Sequence, residues 1–379
     1  MAGFHWGVTP GIYFGNGTFK ELPDMIKSFG GKHVLFLTDP GIMKIGFGQQ
    51  AMDMMKAAGL TYESYTEIEA NPTDVMLDKI MAQIGGKKFD VIVALGGGSP
   101  IDTGKAVNIL LNNPAPISQY DGFHKVNNPG IPLICLPTTA GTGSECSAAS
   151  VITNTAAKKK MVIIGKNVAP TLAICDPELT YGLPPRLTAA TGMDALAHAM
   201  ESYISIIASV MAQVDALKAM ELIYNNLLRA YKNPSDKEAR YNMMLGSTIA
   251  GKAFGNTDLG MCHAMSMPLG AFYGISHGDG NAICLPPAMK HNSKAVPERF
   301  IEMGVAMKMG SASELTPEKV ADNIYKLSAD LGTPKISAFG IGPEHFTEEL
   351  LDAIMMEGAL QTNPVKVSRE EFKEILLTL

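Results

Sequence analysis

The stretch from Val91 to Asp102 constrains the fold of this chain more than any other. Val91–Leu95 is a continuous apolar run, the pattern of a strand covered on both faces. It leads directly into Gly96-Gly-Gly-Ser-Pro-Ile-Asp102, where glycines allow close backbone approach and Pro100 suits the first turn of a helix. A helix reads over Asp102–Leu111. The same alternation surrounds it: Val34–Leu37 as strand, Asp39-Pro-Gly41 as turn, Gln49–Ala58 as helix, Thr61–Tyr65 as strand, Val75–Ile84 as helix. Ile131–Leu136 is a further buried strand, with Pro132 near its start. Strands alternating with helices predict an α/β domain with a parallel sheet.

After about Leu183 the character changes. Pro184, Pro185 and Arg186 break the chain, and helical spacing follows over Leu187–Ile204, Gln213–Tyr231, Lys237–Ala253, Pro317–Leu331, Thr347–Met356 and Arg369–Leu377. The expected organisation is an α/β domain over residues 1–182 and an all-helical domain over 183–379. At 379 residues the chain is long enough for two cores. No internal repeat or low-complexity linker interrupts it.

A net charge of −6 argues against nucleic acid or an anionic membrane as partner. No apolar run approaches the ~20 residues that span a bilayer, and the N-terminus lacks the pattern of a secretory signal. Cys135, Cys146, Cys175, Cys262 and Cys284 are odd in number and scattered without CxxC. They read as reduced, mostly buried thiols of a cytoplasmic protein. The 24 methionines, among them Met52 and Met55, read mainly as core filling.

Asp194 and His198 stand four apart in a helical stretch, a spacing that points both side chains at one spot. His263 and His277 follow on later segments. If the four converge, one carboxylate and three imidazoles suit Fe(II) or Zn(II). A lone Asp or His on a helix is more often a satisfied polar residue, so convergence is the test. His5, His33, His124, His291 and His345 have no such partners and read as structural or surface residues. The glycine loop at 96–98 opens a helix whose N-terminus attracts an anion such as a pyrophosphate. It departs from GxGxxG, because position 101 is Ile, and it follows a later strand than the first. A glycine turn with no ligand accounts for it equally well. Asp39, at the end of the first β-run, can accept from the ribose hydroxyls of NAD and would repel the extra phosphate of NADP; it can also simply start its turn. Thr138-Thr-Ala-Gly-Thr-Gly-Ser-Glu145 puts hydroxyls and small residues after another strand, where open α/β sheets bind ligands.

Together these stretches resemble the iron-containing, or group III, alcohol dehydrogenases. The resemblance covers Thr38-Asp-Pro-Gly41, Glu69-Ala-Asn-Pro72, Gly96–Asp102, Thr138–Glu145, Ala190–Ala199, Pro268–Tyr273 and His277-Gly278. It implies the dehydroquinate synthase-like fold, with an NAD-binding α/β domain, a helical metal-binding domain and an active site in the cleft between. It implies an NAD(H)-linked, metal-dependent oxidoreductase acting on small primary alcohols, diols or aldehydes, and a homodimer or larger homo-oligomer. The family's metal ligands fall on Asp194, His198, His263 and His277. Its cofactor contacts fall on Asp39, Asn71, Gly97, Gly98, Ser99, Asp102, Thr138, Thr139, Thr142 and Lys160, and its substrate pocket on Ala149, Val151, Phe254 and Met267. Small residues at 149 and 151 are compatible with a substrate of about two to four carbons, such as the lactaldehyde, propanediol or sulfoacetaldehyde types known in the family.

Three departures stand out. Relatives usually carry a second histidine four residues after the third ligand, a suspected proton relay; here it is Met267, which cannot exchange a proton. Proton delivery then falls to water or a ribose hydroxyl, and the pocket is expected to differ in specificity. Ser205–Met211 replaces a loop that often holds Asn-Pro, and Val365 replaces a usual arginine. Two rival functions remain open: a metal- and NAD-dependent lyase of the dehydroquinate synthase type, and an inactive NAD-binding scaffold. The lyase needs several cations near the metal, and the segment 240–280 offers only Arg240 and Lys252.

Overall fold

The computed structural model describes residues 4, 6, 7, 10–157 and 159–379. The chain divides into two compact units. One comprises Gly7–Thr139 and Gly143–Tyr181; the other comprises Gly182–Leu379 with Ala140–Thr142 and the first described residues. That three-residue excursion is invisible in the sequence pattern, which shows a single change of character near Leu183. His5 and Lys158 lie outside the described residues.

The first unit is built on a six-stranded parallel sheet. Its strands are β1 (Gly11–Phe14), β2 (His33–Thr38), β3 (Thr61–Tyr65), β4 (Val91–Gly96), β6 (Leu133–Pro137) and β9 (Leu172–Cys175), in the order β1-β9-β6-β4-β2-β3. A small second sheet holds β5 (Gly122–Phe123), β7 (Ala149–Asn154) and β8 (Lys159–Ile164), the last two antiparallel. The central strands are apolar at nearly every position because both faces are covered. Leu35, Leu37, Ile92, Ala94, Leu133 and Cys135 enter one core, while Val34, Phe36, Val91, Val93, Leu95, Ile134 and Leu136 enter the other. Successive side chains take opposite faces, so continuous hydrophobicity still has period two.

Five helices accompany the sheet: α1 (Leu22–Ser28), α2 (Pro40–Lys44), α3 (Phe47–Ala57), α4 (Asp74–Ile84) and α5 (Gly98–Asn112). Helix α5 starts four residues before the helix expected from sequence, so the glycine loop itself forms its first turn. Chain direction across the sheet reverses at β2: β3 lies on one side of it and β4 on the other. The ends of β2 and β4 therefore flank a topological switch point, where open α/β sheets bind ligands. This explains why the glycine loop follows β4 and not the first strand.

The second unit is helical: α6 (Pro185–Ile204), α7 (Val210–Lys232), α8 (Lys237–Phe254), α9 (Met261–Tyr273), α10 (His277–Asn292), α11 (Pro297–Ala306), α12 (Pro317–Asp330), α13 (Glu348–Met355) and α14 (Arg369–Leu376). Helix α6 is buried continuously from Thr188 to Ile204, and Asp194, His198 and Glu201 lie within that buried stretch. Gly192 lets α7 approach it, since a Cβ there would stand 2.2 Å from Leu227 Cδ1. All five cysteines are free and buried, and Met52 and Met55 are core residues. Among the described residues no helix is long and apolar enough to cross a membrane.

Candidate metal centre and cofactor loops

Three helices of the helical unit bring four side chains to one point. Asp194 and His198 project from α6, His263 stands in the first turn of α9, and His277 opens α10. The Nε2 atoms of His198, His263 and His277 lie 3.7, 3.8 and 3.6 Å from Asp194 Oδ1. Four donors bonded at about 2.1 Å to one tetrahedral ion would stand about 3.4 Å apart, so this set is a slightly expanded cage of the right size. One carboxylate oxygen and three imidazole nitrogens also have the right donor chemistry. Asp194, His198 and His263 are buried, whereas the His277 side chain is 32% exposed. The cage opens at His277.

Electrostatics prepare the donors. Burial pushes Asp194 up, but the three imidazoles and the Asn281 amide outweigh it and hold the carboxyl below its usual range. Burial pulls His198 down to about 4 against the attraction of Asp194, so its ring is neutral at pH 7. His263 shifts the other way: burial lowers it, but the hydrogen bond and charge of Glu201, with Asp194, leave it raised. Phe254 stacks on His198 at 4.4 Å between centroids.

Two residues of this cluster escaped the sequence reading. Asn281 Nδ2 lies 2.6 Å from Asp194 Oδ1, 2.9 Å from His263 Nε2 and 3.2 Å from His277 Nε2. It follows His277 by four residues on α10, the spacing that would have flagged it. Glu201 accepts from Cys262 N–H at 2.6 Å and pairs with His263 Nδ1 at 2.6 Å. It completes an i, i+4, i+7 stripe with Asp194 and His198.

In the sheet unit the expected cofactor residues gather at the ends of β2, β4 and β6. Asp39 caps α2 by accepting from Ile42 N–H at 3.0 Å, while its other oxygen faces Gly96, where a Cβ would stand 3.0 Å away. Gly97 is the N-cap of α5 and Gly98 and Ser99 begin its first turn, all three partly exposed. Thr138 N–H donates to Gly96 O at 3.0 Å, joining the two loops, and Thr139 lies against Gly97. Asn71, in a left-handed conformation with φ 55°, donates its N–H to Ser99 Oγ and accepts from Lys160 Nζ, each at 3.3 Å. Asp102 is turned inward: its carboxylate takes Ser144 Oγ and Val151 N–H, with Lys105 Nζ at 3.5 Å. Thr142 belongs to the segment that clusters with the helices. Ala149 and Val151 sit half-buried on β7; Met267 sits half-buried on α9.

Comparison with known proteins decides the affiliation. Residues 9–177 match the model "Iron-containing alcohol dehydrogenase" and residues 188–379 match "Fe-containing alcohol dehydrogenase family, C-terminal". The chain belongs to the iron-containing alcohol dehydrogenase family. It is 38% identical to alcohol dehydrogenase 4 of Schizosaccharomyces pombe, over 96% of this chain and 86% of that protein. A crystal structure of 1,3-propanediol oxidoreductase superposes with a TM-score of 0.94 at 34% identity, covering all of both chains. The sulfoacetaldehyde reductase of Bifidobacterium kashiwanohense, solved in complex with NAD+, gives 0.87 at 29% identity, over 100% of this chain and 99% of that one.

As a member of this family the protein is a metal-dependent alcohol dehydrogenase/aldehyde reductase. The dehydroquinate synthase-type lyase gains nothing from the geometry. Arg240 is committed to Thr188 Oγ1, Leu183 O and Pro234 O, and Lys252 to Asp215 at 3.1 Å. Neither cation of that segment is left for a sugar phosphate. Of the other histidines, His33 bonds Thr61 Oγ1 and His345 accepts from Gly342 N–H, both structural contacts.

Proposed function

We propose that this iron-containing alcohol dehydrogenase relative reduces short-chain aldehydes, or oxidises the corresponding primary alcohols, with NAD(H) and Fe(II), Zn(II) being the alternative ion. Asp194, His198, His263 and His277 would hold the ion, and Asp39, Asn71, Gly97, Gly98, Ser99, Asp102, Thr138, Thr139, Thr142 and Lys160 the cofactor. The observation that carries this reading is the convergence of three Nε2 atoms on Asp194 Oδ1. When bound, the ion supplies a Lewis acid for a carbonyl or alkoxide oxygen and the nicotinamide supplies or accepts hydride.

The chain's own residues set the conditions for that chemistry. Burial of Asp194, His198 and His263 excludes water from three sides of the cage, which strengthens electrostatic interactions within it. The exposed side at His277 is the side left for a substrate oxygen. Asn281 has two amide protons for three acceptors; once the Nε2 lone pairs are engaged, it holds Asp194 in place. Asp39 favours NAD over NADP, because its carboxylate repels an added phosphate. Met267 carries no exchangeable proton, so the proton for the product hydroxyl comes from solvent or a ribose hydroxyl. Ala149, Val151, Phe254 and Met267 suit a small substrate, and a homodimer or larger homo-oligomer is the expected assembly.

NADH oxidation by a panel of small aldehydes, with added Fe(II), with Zn(II) and after chelation, tests the reading. Turnover of at least one aldehyde, abolished by chelation and restored by one of the ions, is expected. No turnover with either ion would sink it.

A further inference from the structure

We infer that Glu201 is the positioning residue of this metal centre, fixing the tautomer and aim of His263. The inference rests on the four-residue metal reading above and adds a residue outside the ligand set. Glu201 is on the same helix as Asp194 and His198, but its carboxylate turns to α9. One oxygen takes the Cys262 N–H at 2.6 Å and the other takes His263 Nδ1 at 2.6 Å.

With one Glu201 oxygen already taking the Cys262 N–H and the other 2.6 Å from Nδ1, the arrangement offers Nδ1 an acceptor and so favours the tautomer with the proton there. The Nε2 atom of His263, 3.8 Å from Asp194 Oδ1, is then left with its lone pair directed into the cage. An imidazole in the other tautomer would present an N–H to a cation and could not ligate it. A carboxylate behind a ligating histidine also raises the basicity of the ring, and loss of such a partner typically weakens metal affinity about 10- to 100-fold.

The surroundings are built for this contact. Helix α9 has no side-chain cap from its own N-cap residue, Gly260. Its first free N–H groups are taken instead by Asn363 Oδ1, at 3.2 Å from Met261 N, and by Glu201. A Cβ on Gly260 would stand 2.9 Å from both Glu201 Oε1 and Asn363 Oδ1, so glycine is what admits the carboxylate. Glu201 thus ties two ligand-bearing helices together, with its position set from two directions. Asn363 shares the capping role but does not touch the imidazole, and this separates capping from tautomer control.

Equilibrium titration of metal-free protein with Zn(II) against a chromophoric chelator tests the assignment, with folding followed by circular dichroism. Glu201→Gln offers one acceptor and one donor where two acceptors are needed; it is expected to raise the Zn(II) Kd about 10- to 100-fold, Glu201→Asp to recover part of that, and Asn363→Ala to lower Tm with Kd within about twofold. Proton–nitrogen NMR of the imidazoles should place the His263 proton on Nδ1 in wild type, with that preference lost in Glu201→Gln. Equal Kd values for wild type and Glu201→Gln would overturn the inference. So would an Asn363→Ala defect as large as that of Glu201→Gln, which would make Glu201 a helix cap alone. Should Glu201→Gln not fold, the wild-type tautomer and Glu201→Asp decide: a proton on Nε2, or an unchanged Kd, overturns it. If wild type and Asp194→Ala bind Zn(II) equally, the metal reading itself fails, and this inference with it.

Discussion

In the sheet unit the candidate site is made largely of backbone, whereas in the helical unit it is made of side chains. Gly96–Ser99 and Thr138–Thr139 bring main-chain groups and small residues to the ends of parallel strands, and the Thr138 N–H donates to Gly96 O across the two loops. Asp194, His198, His263 and His277 come from three helices and meet only through their tips. Strand ends at a switch point line up by topology, so a loop there tolerates graded change. A cage of four tips has no such redundancy. Loss of one group should therefore be all-or-none in the helices and partial in the sheet.

The sharpest way to break this contrast is Asp194→Ala. Removing the one carboxylate of the cage should lower kcat/KM at least about a thousandfold, equivalent to about 4 kcal/mol of lost charge stabilisation. Metal content measured after purification should fall with it. Retention of both metal and rate would show that the cage is as redundant as the loops.

The next effect belongs to the sheet unit and depends on pH. Burial raises Glu145 to about 7, only partly opposed by a backbone hydrogen bond and Lys105. The folded protein therefore holds a proton that the unfolded chain releases near 4.5. The associated stability is complete below that pH and is lost as pH rises through about 7, a swing of roughly 3 kcal/mol. Denaturant unfolding of wild type and Glu145→Gln across this window should show the slope in wild type alone. Parallel curves would remove Glu145 from the account.

Gly96→Ala should act more weakly and on a different quantity. Gly96 has φ 150°, and a Cβ would meet Pro100 Cγ at 2.5 Å and Asp39 Oδ2 at 3.0 Å. A cost of about 2 kcal/mol in stability and a raised KM for NADH are expected, with metal affinity unchanged. Coupled loss of metal would erase the division of labour. Smallest of all should be Met267→His. A working proton relay contributes about a hundredfold or more; a change in kcat of only a few-fold, with a shifted aldehyde ranking, is expected from pH–rate profiles and a substrate panel.

Legibility in the sequence follows the same division. The strands β2, β4 and β6 were readable because burial on both faces leaves apolar runs, and Asp194 with His198 because helical spacing is local. Helices α9 and α10 were not. Pro268, Pro286 and Pro287 sit inside them, where proline normally argues against helix, and α10 is buried too fully to show an amphipathic stripe. Strands β1 and β9 are four residues each, too short for a periodicity. Glu201 lay in plain view on α6, but a helix glutamate is ordinary until tertiary structure brings it to His263, 62 residues on. Chemistry made by distant packing leaves no local trace.

The excursion of Ala140–Thr142 bears on how such a protein can be divided or assembled. Ala140 joins the helical core, and Gly141 lies so close to α6 that a Cβ would stand 2.6 Å from Thr191 Cβ, so this segment is packed into the helical unit. Yet they are encoded 42 residues ahead of Gly182, within the reach of chain that otherwise belongs to the sheet. A gene cut at the apparent boundary would separate the helices from a piece of their own core. Translation delivers that piece before any helix exists to receive it, and domains generally fold as units during synthesis. The sheet must hold three residues in reserve, so the two halves form one heritable unit that cannot be exchanged as simple modules.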